Sequence, residues 1–262
     1  MEAINVENFP IFDSHAHYAN DQFSDDLACV VETMKANGVV GAINCGVDYP
    51  CSEKCIELAE KYDIFYAAVG VHPEDLYGGE NLNTKIMSKL CSHEKVVAIG
   101  EIGLDYYWDN FSHEEQIKWF EQQINFAKEI SLPIIVHDRE SHADTLEILN
   151  KYKPEGVVHC FSGSTEMAKE ILKLGMYIGL GGVVSFKNAR KTVEVAKILP
   201  LDRLLLETDA PYMSPEPFRG KRCTSDLIYF TAKKIAEIKG ISTEEVLNAS
   251  YQNIKELFKK IK

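Results

Sequence analysis

The chain has no excess of positive charge. Its 262 residues carry 28 Lys plus Arg against 40 Asp plus Glu, a formal net charge of −12, which excludes a protein that grips nucleic acid by bulk electrostatics. Any polyanion it handles needs local help, from a basic patch or from metal ions. A bilayer-spanning run is missing as well. The most apolar stretch, near Leu174–Phe186, is broken by Gly175, Gly179, Gly181 and Gly182 and is too short. Cysteines are few and odd in number, seven without a pairing rhythm, which points to reduced thiols in a cytoplasmic protein rather than a disulfide framework. No secretory leader is legible over Met1–Phe12, which lacks a basic start and a long apolar segment. Nor is there a Pro/Gly/Ser linker, a low-complexity tract, a residue-level repeat or a long heptad pattern that would demand assembly, so a monomer is expected. What is there is 45% apolar and 26% charged, enough for one folded domain over residues 1–262.

One pattern recurs along the chain: a short β-branched run, a polar loop, then an amphipathic stretch. The runs that read as strands are Ile11–His17, Val39–Cys45, Phe65–His72, Val96–Glu101, Ile134–His137, Gly156–His159, Met176–Gly179 and Arg203–Asp209. Helical patterns fall between them, among them Leu27–Asn37, Ser52–Tyr62, Glu114–Ile130, Ala143–Lys151, Thr165–Leu174 and Ala189–Leu199. Two further helices close the chain. The last begins at Ser242 with Glu245 three residues on, a capping-box pattern, and buries Val246, Leu247, Ile254, Leu257 and Phe258. Eight strands alternating with helices point to an α/β fold, a closed (β/α)8 TIM barrel, ahead of an open doubly wound sheet.

A barrel of this kind carries its chemistry at the C-terminal ends of its strands. Five of the eight histidines stand there, at His15, His17, His72, His137 and His159, together with Glu101, Glu207 and Asp209. Residues two apart on a strand face one side, so His15 and His17 can reach one ion. His137, His159 and Asp209 extend a nitrogen and oxygen donor set without thiolate, suited to Zn2+, Mn2+ or Fe2+, and to Mg2+ where waters and phosphate complete the shell. Glu101, between two glycines, points to the same mouth. Six ligands (His15, His17, Glu101, His137, His159, Asp209) exceed one tetrahedral ion and fit a pair that shares Glu101, since a carboxylate can bridge ions about 3.5–4 Å apart.

Other strand-end residues leave alternatives. His72 reads as a phosphate hydrogen-bond donor, a seventh ligand or a donor behind the ligands. Arg139 shares the parity of His137 and suits a phosphate oxygen; a salt bridge to Asp138 or Glu140 is its plain structural role. Glu207 is either a buried carboxylate behind the ligands or a catalytic or extra metal-binding group. Arg219-Gly220-Lys221-Arg222 is the densest positive run, and its place after the eighth strand makes Arg219, Lys221 and Arg222 phosphate contacts. Tyr106, Tyr107 and Trp108 can stack on bases, though packing is the commoner use of aromatics at a rim. Cys160 is expected to point away from the face of His159, and His93, His113 and His142 to lie exposed on helices.

Together, Phe12-Asp13-Ser14-His15-Ala16-His17, Gly70-Val71-His72-Pro73, Gly100-Glu101-Ile102-Gly103-Leu104-Asp105-Tyr106, His159-Cys160-Phe161-Ser162-Gly163, Leu206-Glu207-Thr208-Asp209-Ala210-Pro211 and Arg219-Gly220-Lys221-Arg222 resemble the TatD family of metal-dependent deoxyribonucleases. The match runs in order from about Ile11 to the C-terminus. The resemblance implies a (β/α)8 barrel of the amidohydrolase type, one ion held by His15, His17, Glu101 and Asp209, and another by Glu101, His137 and His159. It also implies DNA hydrolysis, typically as a 3′→5′ exonuclease on single-stranded ends, sometimes with endonuclease or abasic-site activity. After the basic run the family tends to carry Asn and, two residues later, Pro; this chain has Cys223-Thr224-Ser225, which puts the shape of that loop in question.

The expected mechanism is two-metal phosphodiester hydrolysis, with two divalent cations (Mg2+, Mn2+ or Zn2+) activating a water, Asp209 as general base, and His72 and Arg139 orienting the phosphate. It reconciles an acidic protein with a DNA substrate, because two dications and a small basic loop do locally what bulk charge does not. The main rival is a metal-dependent amidase, lactonase, deaminase or phosphotriesterase on the same scaffold. Many such relatives bridge their metals with a carboxylated lysine, whereas this chain offers Glu101 and a basic loop. A non-catalytic barrel would need a broken ligand set, and all six candidates are present.

Overall fold

The computed structural model describes residues 10–78 and 80–262. The expectation about an N-terminal leader rests on residues 1–9, which lie outside them. Eight strands appear in chain order: β1 Ile11–Ala16, β2 Val39–Cys45, β3 Phe65–Val69, β4 Val96–Asp105, β5 Ile134–Arg139, β6 Gly156–Val158, β7 Tyr177–Leu180 and β8 Leu204–Leu206. They pair in parallel in the same order. The crossover that each parallel pair requires is a helix: α1 Leu27–Ala36, α2 Tyr49–Lys61, α3 Thr84–Cys91, α4 His113–Glu129, α5 His142–Tyr152, α6 Thr165–Lys173 and α7 Arg190–Ile198, with α8 Ile228–Lys239 and α9 Thr243–Leu257 closing the chain. No described helix is long and apolar enough to cross a membrane.

Local chemistry explains the helix starts. Asp48, Asn83, Ser112, Ser164 and Ser242 each accept a backbone N–H of the first turn, and Ser112 with Glu115 and Ser242 with Glu245 form reciprocal capping boxes. Side chains alternate between two cores. One face of the strands (Ile11, Ala42, Ile134, Val136, Leu204, Leu206) packs under the helices, and the other (Phe12, Ile43, Ile135, Leu205) fills the barrel with Ile254, Leu257 and Phe258 of the α9 end. Since Ile135 and Leu205 point inward, His137, Arg139 and Glu207 inherit that direction. Phe12 also points inward, which by simple alternation would turn His15 outward. A register shift between Asp13 and Ala16 resets the alternation.

Closure is of a different kind. β8 and β1 share no ladder; they meet through a single bridge at Ala16 and Ala210 and through the backbone bonds His17 N to Ala210 O (2.7 Å) and Asp209 N to His15 O (3.0 Å). The groups left over on β8 are met by side chains. Ser250 Oγ accepts Leu206 N–H (2.8 Å), Asn253 Nδ2 donates to Leu204 O (2.8 Å), and Ser14 Oγ donates to Leu206 O (3.1 Å).

Candidate metal centre

The six donors read from the sequence converge at the C-terminal mouth of the barrel. Glu101 lies at their centre, almost fully buried, and its two oxygens face different partners. Oε2 is 3.3 Å from His15 Nε2 and 3.3 Å from His17 Nε2, while Oε1 is 2.8 Å from His137 Nδ1 and 2.7 Å from His159 Nε2. Asp209 joins the first side, its Oδ1 3.4 Å from His17 Nε2 and 3.8 Å from His15 Nε2. His72 approaches the second, with Nε2 3.6 Å from Glu101 Oε1. Close-set donor groups therefore form around His15-His17-Glu101, His15-His159-Asp209 and His72-Glu101-His137.

Partners behind the donors set their orientation. The Cys45 carbonyl accepts from His17 Nδ1 (3.0 Å), which turns Nε2 inward; Asp105 Oδ2 takes His137 Nε2 (2.9 Å), which leaves Nδ1 toward Glu101. A carboxylate or carbonyl behind a histidine is the usual support of a metal ligand. The Nε2 atoms of His15 and His17 approach to 3.0 Å, so both rings present that nitrogen to one point beside Glu101 Oε2. Protonation equilibria carry the same message. Burial would raise Glu101, but His159, His15, His72 and the His137 hydrogen bond draw it well below the usual carboxylate range. Burial opposes charge on His137, yet the hydrogen bonds of Asp105 and Glu101 lift it to about 10. This ring of acceptors favours positive charge at its middle.

Two buried carboxylates tie the first and last strands to the centre. Asp13 accepts from His15 N (3.1 Å) and Thr208 N (3.0 Å) on Oδ1, and from Thr208 Oγ1 (2.5 Å) and Ser225 Oγ (2.6 Å) on Oδ2. Ser225 N–H donates in turn to the Tyr18 hydroxyl (2.8 Å), so the Cys223-Thr224-Ser225 segment, which departs from the expected loop pattern, anchors this junction. Glu207, fully buried, accepts the Cys160 amide through Oε1 and leaves Oε2 without a partner; burial, with Asp209 and Asp13 adding to it against His159 and the Cys160 bond, pushes its carboxyl up to about 8. Asp209 and Cys160 both adopt positive φ (63° and 43°), the left-handed region that costs a non-glycine residue about 1 kcal/mol or more and gathers at functional sites.

A cleft of about 870 Å3 opens over the centre. His72 and Arg139 line it, the Arg139 guanidinium 4.0 Å over the Tyr107 ring and 5.8 Å from that of Trp108. Tyr106 is a packing residue, stacked on His113 (3.5 Å) and donating to Asp144 (2.7 Å). Several expectations change. Cys160 lines the cleft rather than turning away. Arg222 is not free for phosphate: its guanidinium holds Asp26 in a two-pronged ion pair (2.9 and 2.6 Å) and the Gln22 carbonyl, although it lines a second cavity together with Arg219 and Lys221. His142 is bonded to Asp138 (2.7 Å). Asp13, Asp105 and Glu74 were not singled out by the sequence reading. Glu74 lines the cleft, and burial and Asp105 raise its carboxyl to about 7.

The donors fit divalent ions: neutral-nitrogen and carboxylate ligands, no thiolate among the converging atoms, and oriented partners behind the rings. Comparison with known proteins agrees. The family described as TatD related DNase matches residues 12–259. The chain is 43% identical over 252 residues to the uncharacterized metal-dependent hydrolase YabD of Bacillus subtilis, covering 95% of this chain and 99% of that protein. It is 35% identical over 257 residues to the uncharacterized metal-dependent hydrolase YcfH of Escherichia coli, 95% of each chain. The crystal structure of YjjV, a TatD homolog from E. coli, superposes with a TM-score of 0.89 at 32% identity, covering 95% of this chain and 98% of that one.

Proposed function

The chain belongs to the TatD-related DNase family and is a metal-dependent hydrolase, and from that premise we propose that it hydrolyses DNA phosphodiester bonds as a 3′→5′ exonuclease on single-stranded ends. The observation that carries this reading is the division of Glu101 between two donor groups, which supports a pair of divalent ions (Mg2+, Mn2+ or Zn2+). His15, His17, Glu101 and Asp209 would hold one, and Glu101, His137 and His159 the other. Bound there, the ions would supply Lewis-acid polarisation of the phosphoryl group and lower the pKa of an attacking water.

The chain's own residues do the rest. Asp209, at the lip of the cleft, takes the proton of the water as general base. Arg139, held against Tyr107, and His72 orient the phosphate from the opposite wall. Glu207 keeps the Cys160 amide, and with it the turn after His159, in place. Free thiols in all seven cysteines support a reducing, cytoplasmic setting, and the working unit is taken as a monomer.

The test is cleavage of a 5′-labelled single-stranded DNA after EDTA treatment and add-back of each ion. A metal-restored ladder of single-nucleotide losses from the 3′ end is expected, and folded Glu101→Ala and Asp209→Ala variants should be inactive. No cleavage by protein that binds metal would transfer the reading to a small amide, ester or lactone on the same donors.

A further inference from the structure

Beside the main cleft lies a second cavity of about 420 Å3, walled by Phe186, Tyr212 and Met213 and edged by Arg219 and Lys221. Tyr212 and Met213 line both spaces, so the two residues form a partition, and both are about half exposed. The partition is fixed to the centre from two sides. Tyr212 N–H donates to Asp209 O (2.8 Å), and Asn20, three residues beyond His17, donates its Nδ2 to the Tyr212 hydroxyl (3.1 Å). Behind it, a Cβ on Gly182 would lie 2.1 Å from Met213 O, so the segment has no room to retreat.

The cations of the cavity stand out in a chain of net charge −12. Arg222 is neutralised by Asp26, but Arg219 and Lys221 meet no carboxylate among the described residues; the Arg219 guanidinium lies 4.2 Å over the Phe186 ring. Two unpaired cations beside two aromatic rings are the recognition chemistry of a nucleotide, with a flat base and an anionic phosphate.

We propose that this second cavity is a subsite for the nucleotide next to the scissile phosphate, its base against the half-exposed Tyr212 and its outlying phosphate on Lys221 and on Arg219, whose guanidinium is backed by the Phe186 ring. The inference rests on the phosphodiester reading above. It gives the Tyr212–Met213 partition a consequence: neighbouring bases placed on either side of it cannot remain stacked, so a single strand enters and a duplex end must first fray.

The test is anisotropy of a fluorescein-labelled, cleavage-resistant phosphorothioate hexathymidylate and of a blunt hairpin duplex of the same linkage on the Mn2+-loaded protein, with Lys221→Glu, Tyr212→Ala and, as a charge-matched control at the other end of the barrel, Lys173→Glu. Lys221→Glu should weaken hexathymidylate binding tenfold or more and flatten the dependence of log affinity on log salt by about one. Tyr212→Ala should weaken it by roughly tenfold and reduce the preference for single strand over hairpin, and Lys173→Glu should leave both unchanged. Equal losses in Lys221→Glu and Lys173→Glu, no change in any variant, or no binding by the parent protein would overturn the subsite. Turnover of bis(4-nitrophenyl) phosphate by the Mn2+-loaded parent separates the two readings, because this diester is too small to span the partition. Its hydrolysis alongside such a binding result removes the subsite alone, whereas no hydrolysis of either this diester or DNA removes the phosphodiester reading as well.

Discussion

Replacing Asp105 by Asn should weaken one metal site and spare the other. Asp105 is wholly buried, and its two oxygens do separate work: Oδ1 accepts the Tyr107 and Trp108 amides (2.9 and 3.4 Å), and Oδ2 meets His137 Nε2 at 2.9 Å. Asn keeps an oxygen for the loop amides but presents an NH2 to His137, donor against donor. The imidazole must then change tautomer or turn, and either response spoils the lone pair that Nδ1 offers beside Glu101 Oε1, 2.8 Å away. Loss of such a support typically costs 10–100-fold in metal affinity, about 1.4–2.7 kcal/mol. His15, His17 and Asp209 are on the Oε2 side and do not touch Asp105. Calorimetric titration of chelator-stripped protein with Mn2+ or Zn2+ should therefore show two binding events in the parent, and in the variant one unchanged and one weakened by that factor. Equal weakening of both events, or of neither, with the fold intact by circular dichroism, would refute the division of Glu101 between two ions.

Three further outcomes are expected. The Asp138 hydrogen bond raises His142 above its ordinary value against partial burial; its contribution is thus fully present below about pH 6.5 and lost as pH rises through the folded-state value, and with the His142 side chain 39% exposed it stays under about 1 kcal/mol. The Tm difference between parent and His142→Gln should be largest near pH 5.5 and vanish in alkali, and a difference that grew with pH would contradict this. Phe258→Ala, which empties the floor of the barrel, should cost about 3–5 kcal/mol in urea unfolding; a loss below about 1 kcal/mol would deny α9 that role. Gly103 has φ +149°, and a Cβ there would fall 2.0 Å from His137 O, so Gly103→Ala should lower both Tm and metal affinity, whereas an unchanged affinity would separate β4 from the site.

All eight strands were legible because each is a compact apolar run, and the ligands because they stand where those runs end; parity alone misplaces His15, which the register shift after Asp13 turns back to the centre. The ends were less so. β4 extends to Asp105, beyond the Glu101 read from sequence, because Ile102–Asp105 continue to pair with β5. β8 stops at Leu206 because Thr208 leaves the sheet to bond Asp13. α3 was not among the helices named; eight residues hold too little periodicity to stand out. Asp13 and Asp105 act through partners 195 and 32 positions away, a relation no local pattern expresses. The occupation of Arg222 by Asp26 is likewise a pairing across 196 positions, invisible in a basic tetrapeptide.

The junction between β8 and β1 also bears on how the chain is held closed. Asp13 and Thr208 are 195 residues apart, and tethering two points so distant removes on the order of 5 kcal/mol of loop entropy from the unfolded chain. An ion shared by His15, His17 and Asp209 would be such a tether, a cross-link made and unmade by the concentration of a cation. Loading the centre would then do more than prepare it for hydrolysis: it would fasten the two ends of the sheet, and amide hydrogen exchange at Ala16 and Asp209 would slow before exchange elsewhere in the barrel.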